Sequence, residues 1–101
     1  MIKNRLDITD QERAEFDAAE AAITARIEAA WQRVEAAQAA EEATRRAFGT
    51  ARGYTNASFR KHANPAAARQ QYVKTAETAW ETAKATVDAA KAEYDSTVRS
   101  A

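Results

Sequence analysis

Between residues 73 and 98, large apolar side chains alternate with small ones: Val73, Trp80, Val87 and Tyr94 recur every seven residues, and Ala76, Ala83, Ala90 and Thr97 follow each by three. Such a heptad seam stabilises a helix only when a second helix is laid against it. The chain supplies a candidate upstream. At the helical angle of about 100° per residue, residues 9–48 gather Phe16, Ile23, Ile27, Ala30, Trp31 and Val34 on one face. Nearly opposite lies a line of Ala18, Ala22, Ala25, Ala29, Ala36, Ala40, Ala43 and Ala47. Charged strips separate the two, Arg26 and Arg33 on one side and Asp17, Glu28 and Glu35 on the other. A helix in a lone two-helix hairpin needs one apolar face. The alanine line therefore has two readings: helix propensity on a solvated surface, or close approach of a further helix.

End signals set the boundaries. Thr9 and Glu12 match a capping box, and Asp10, Glu12 and Glu15 place negative charge on the positive end of a helix starting at residue 9. Arg45 and Arg46 complement its other end, and Gly49 is its expected C-cap, so the first helix is predicted over 9–48. Residues 49–64 gather Gly49, Gly53, Asn56, Ser58 and Asn64 into a connector, in which a single helical turn fits around residues 57–62. Asn64 is the expected cap of the next helix and Pro65 its first residue, where a missing N–H costs nothing. The second helical segment is 65–101, with its helix running to about residue 99, and residues 1–8 form an N-terminal extension.

These elements predict an all-α fold: a long, coiled-coil-like antiparallel two-helix hairpin forming one domain of 101 residues. With the two helix ends level at the connector, Ile27 faces Val87, Val34 faces Trp80, and Phe16 faces Val98. Trp31 and Trp80 are then core residues close to each other, and Tyr72 and Tyr94 lie on the buried side of the second helix. Composition adds a reservation about stability. The hydrophobic fraction is 46%, but most of it is alanine, which buries little area. Cysteine is absent and no metal-ligand cluster is evident, so no staple supplements a thin core. Self-association or a partner completing a bundle is the expected remedy, with a homo-oligomer favoured.

Charge changes the picture most. Fifteen basic and fifteen acidic residues cancel overall, yet from Ala43 through Ala76 there is no acidic residue while Arg45, Arg46, Arg52, Arg60, Lys61, Arg69 and Lys74 are basic. Residues 1–42 carry five basic and ten acidic side chains, and residues 77–101 carry three and five. The hairpin is therefore a dipole, with a basic tip and an acidic end. Arg45, Arg46, Arg52, Arg60, Lys61 and Arg69, with His62, Tyr54 and Phe59 beside them, form the candidate binding site. Its arginines suit phosphate or carboxylate, and its rings suit a base or a partner's pocket. The plainer reading is that Arg45 and Arg46 serve the helix end and that a solvated loop collects charge. Arg69 resists it, because positive charge at a helix start opposes the macrodipole.

Catalytic patterns are missing. His62 is the single histidine, so zinc sites of the usual kinds and Cys–His nucleophiles are excluded. Ser58, Ser96 and Ser100 have no base beyond His62. Glu77 and Glu81 are helix-spaced without a Glu-x-x-His pattern, and neither glycine is followed by a phosphate-loop lysine and serine. The Asn56-Ala57-Ser58 sequon matters only in a secreted chain. No catalytic residue, cofactor, metal or small-molecule substrate is expected.

In size and plan the chain resembles the small secreted helical hairpins that carry a Trp-x-Gly turn and a C-terminal Tyr-x-x-x-Asp signal. Here Trp31 is followed by Gln32 and Arg33, and Val98 stands four residues after Tyr94, so neither motif is present. The plan also resembles a plasmid RNA-binding hairpin that dimerises into a four-helix bundle, without a shared motif. No residue role follows from either likeness.

The expected function is non-enzymatic: a helical-hairpin interaction or assembly protein, as a viral structural, scaffold or adaptor component. Its alanine face would pack and its basic tip would meet an acidic partner. The alternatives are a small nucleic-acid-binding protein, or a protein inhibitor of nucleic-acid machinery, using the same tip. No segment reads as a signal peptide or membrane span, and the expected location is the cytoplasm, a virion or another large assembly.

Overall fold

A computed structural model describes residues 9–101, and the expected 1–8 extension lies outside the described residues. The architecture is the expected all-α hairpin: α1 (Asp10–Arg52), a 3₁₀ turn (Asn56–Phe59) and α2 (Pro65–Arg99), with the two long helices packed against each other. Among the described residues there is no strand, and no helix is long and apolar enough to cross a membrane.

The caps form largely as the sequence predicts. Thr9 is the N-cap of α1, its hydroxyl accepting the Glu12 amide at 3.0 Å. Asn64 caps α2 through Oδ1, which accepts from the Ala67 amide at 3.2 Å, and Pro65 follows it. The C-terminus of α1 differs. Gly49 does not end the helix, which continues through it to Arg52, with Gly53 as C-cap in a right-handed conformation at φ −78°. A Cβ at Gly49 would meet nothing within 4 Å, so no packing demands glycine there. One further turn of helical hydrogen bonding outweighs the glycine's poor propensity, about 1 kcal/mol relative to alanine.

The heptad seam of α2 is realised in full: Val73, Ala76, Trp80, Ala83, Val87, Ala90, Tyr94 and Thr97 are all buried or half-buried. Its counterpart on α1 is Ile23, Ile27, Ala30, Val34, Ala37, Glu41, Thr44, Phe48 and Ala51, the same spacing of three and four. The large-residue face therefore holds only as far as Val34. Beyond it the seam consists of Ala37, Phe48 and Ala51 with two polar side chains between them, each hydrogen-bonded. Thr44 Oγ1 donates to the Ala40 carbonyl at 2.9 Å, the back-bonding that lets a hydroxyl sit in a helix interface. Glu41 Oε1 accepts from Trp80 Nε1 at 2.9 Å.

The pairing register departs from the expected one. Trp31 packs against Tyr94 in a tilted pair with ring centroids 5.3 Å apart, Arg33 Nη2 meets Glu93 Oε1 at 2.7 Å, and Trp80 packs on Phe48 at 5.5 Å. The first two of these pairs have residue numbers summing to about 125, where level helix ends require about 114, a slide of roughly three helical turns. Val34 thus falls near Ala90 instead of Trp80, and Ile27 near Val98 instead of Val87. Phe16 falls beyond the end of α2. The two tryptophans are apart, each with its own aromatic partner. The cause lies at the connector, which folds back along the first turns of α2 and lets α2 start beyond the end of α1.

Two consequences matter for function. The core is as thin as composition predicts, its buried apolar residues being Ala30, Val34, Ala37, Ala51, Ala83 and Val87, with Val34 the largest fully buried side chain. Residues 10–22 of α1 overhang the end of α2 and are exposed throughout, Phe16 at 66%. Tyr72, expected on the buried side of α2, is 48% exposed, and Trp31, expected in the core, is 46% exposed. Of the alanine line only Ala29 is even half-buried.

Candidate interaction surface

The basic tip is built where α1 runs out and the connector returns. After Gly53 the chain makes its 3₁₀ turn, the Thr55 N–H donating to Ser58 Oγ at 3.3 Å and the Ser58 N–H to the Thr55 carbonyl at 3.0 Å, and the ring of Tyr54 turns toward α2. Tyr54, Phe59 and Tyr72 form a three-ring cluster, with centroids 6.1 Å apart for Tyr54–Phe59 and 5.6 Å for each contact with Tyr72. His62 leans on Phe59 at 5.7 Å. Tyr54 stays 37% exposed and Phe59 is half-buried. The rings are a hydrophobic staple for the connector with one outer surface left to solvent.

The basic residues divide by what already holds them. Arg69 Nε donates to the Tyr54 carbonyl at 2.7 Å, fastening the connector to the first turns of α2. Its position near a helix start, unfavourable by the macrodipole, is accounted for by this brace to a carbonyl just past the end of α1. Arg46 Nη2 pairs with Glu42 Oε1 at 2.8 Å along α1, and the Arg52 guanidinium lies 4.9 Å from the Phe48 ring centre. Arg45, Arg60, Lys61 and Lys74 are exposed and make no ion pair among the described residues. The tip thus brings Tyr54, Phe59, His62 and Arg69 into contact, while Arg45, Arg46, Arg60 and Lys61 stand separately around them. Sequence reasoning missed Tyr72, although its spacing of three from Arg69 places both on the side of α2 that receives the connector.

A second surface runs along one flank of the hairpin. Open clefts follow the helix interface from Arg52, Val73 and Lys74 at the tip, past Lys84, Asp88 and Lys91, to Ile27, Trp31 and Tyr94, and then to Val98 at the other end. This flank carries the large exposed apolar residues Trp31 and Val98, the latter 43% exposed. The opposite flank carries a shallow trough of Ala36, Ala40, Thr86 and Ala89, bridged by the Arg33–Glu93 pair.

No protein-family model, curated protein or solved structure matches this chain. Among the described residues no group of three His, Cys, Asp or Glu side chains is placed to hold a metal ion. The clefts are open grooves between side chains of two parallel-sided rods, suited to a partner surface more than to an enclosed small molecule.

Proposed function

We propose that this protein is a non-enzymatic assembly component, a helical hairpin whose core is completed by packing against another polypeptide. The observation that supports this most strongly is the overhang: thirteen residues of α1, Asp10 to Ala22, lie beyond the reach of α2. An isolated helix of that length is marginal in water, where nucleation is costly and most helical stability comes from a packed face. A scaffold or adaptor role fits a hairpin with an acidic overhang at one end and a basic, aromatic tip at the other.

Light scattering paired with a thermal melt tests this reading. It expects an oligomer, or a monomer with a low and broad melt. A monodisperse monomer with a sharp, high melting transition defeats it.

Nucleic-acid binding through the tip is the second reading. It is favoured by Arg60 and Lys61, exposed and without an ion pair among the described residues, in the same connector as the part-exposed rings of Tyr54 and Phe59. A neutral chain lacks the global attraction of a strong non-specific binder, so this reading rests on the local patch.

A further inference from the structure

The hairpin register places opposite charges at defined positions along the rod. The overhang, residues 10–22, holds Asp10, Glu12, Glu15, Asp17 and Glu20 against the single Arg13. Its one large apolar residue is Phe16, 66% exposed. At the far end of the cleft-bearing flank, Arg52, Arg69 and Lys74 surround Val73, in a groove whose acidic lining is Glu77 alone. Midway between overhang and groove lies the exposed Trp31, packed against Tyr94.

We propose that two copies of this chain associate antiparallel along this flank, the acidic overhang of each lying in the basic groove of the other. This deepens the assembly reading and rests on it. The geometry follows from the register. Val73 sits level with Arg52, so a two-fold axis that brings residues 16 and 17 level with the partner's Val73 and Lys74 crosses α1 near Val34. Asp17 then falls by the partner's Lys74. The Trp31–Tyr94 pairs of both copies flank the axis within about two helical turns of each other. The resulting interface has an aromatic centre and a charged periphery, the distribution that stable interfaces favour. It is isologous and closes on itself. A parallel pair would set acidic end on acidic end. A head-to-tail arrangement would use the same charges but leave an unfilled groove at every terminus and grow into filaments.

Sedimentation equilibrium at low and moderate salt, on protein freed of nucleic acid, tests the proposal. The wild type is expected to sediment as a dimer, more weakly at higher salt. Asp17→Lys and Lys74→Glu are each expected to weaken the dimer by roughly tenfold or more, with helix content by circular dichroism retained. Combining the two in one chain reunites opposite charges and is expected to restore much of the loss. Trp31→Ala is expected to weaken the dimer at both salts. A dimer indifferent to all these changes overturns this interface while leaving the assembly reading standing, as does a filament. A wild-type monomer with a low, broad melt also overturns the dimer and leaves a different partner to complete the core. A monomer with a sharp, high melt defeats both.

Discussion

Trp80 and Glu41 are bonded only if α1 and α2 pair in the observed register. The indole N–H donates to Glu41 Oε1 at 2.9 Å, the Trp80 ring packs on Phe48 at 5.5 Å, and Lys84 Nζ lies 4.1 Å from the ring centre. With the helix ends level, Trp80 would face Val34, and Glu41 would lie about 10 Å further along α1, out of reach. Trp80→Phe removes the donor and part of the ring; Glu41→Ala removes the acceptor. A hydrogen bond to a charged group is worth about 1.5–3 kcal/mol, but both residues are only half-buried, and solvent screening reduces that. We expect a coupling energy of about 1 kcal/mol in a double-mutant cycle, since the losses of ring packing and aliphatic stem in the single variants cancel. In a domain of this size that corresponds to about 4–8 °C in Tm. The assay is urea unfolding followed by circular dichroism at one fixed protein concentration, because self-association adds to apparent stability. A coupling within experimental error of zero refutes the register, and with it the overhang.

Gly49→Ala is expected to stabilise the chain by about 0.5–1 kcal/mol, since the position is helical and open; a loss of stability on thermal unfolding would mean that α1 ends before residue 49. Val34→Ala should cost about 2 kcal/mol, from two buried carbons and the space they leave, and a negligible change in denaturation midpoint would contradict the burial of Val34. Removing the brace with Arg69→Ala should speed amide exchange through residues 54–62 while leaving residues 80–95 unchanged, and Arg69→Lys should rescue it poorly because a point charge replaces a directed N–H. If the tip binds nucleic acid, fluorescence anisotropy with a labelled single strand will show salt-sensitive binding that Arg60→Glu with Lys61→Glu abolishes; no binding at low salt removes that reading.

What the sequence disclosed, and what it hid, follows the range of the interactions involved. Thr9, Asn64 and Pro65 mark helix starts because caps are made within a few residues, and the α2 seam is legible because its eight positions repeat with one period. Gly49 misled because a glycine's cost in a helix is small beside a further turn of hydrogen bonds. The register was hidden because it depends on three rings, Tyr54, Phe59 and Tyr72, folding the connector onto α2, a contact between segments with no shared periodicity. The same hidden contact explains Arg69, whose charge reads as a ligand site in sequence and is a strut in the fold. The seam of α1 past Val34 was obscured for a related reason. Glu41 and Thr44 occupy half-buried seam positions where bonds to Trp80 and to the Ala40 carbonyl occupy their polar atoms.

A hairpin finished by another polypeptide along its overhang leaves residues 10–22 unprotected until it associates. Hydrogen exchange read by mass spectrometry on residues 10–22, across a dilution series, tests it most directly. Fast exchange is expected in these residues in dilute protein, with protection that appears together with the associated species while residues 30–50 stay protected throughout. Slow exchange over residues 10–22 in a dilute monomer, equal to that of the paired segment, would contradict it.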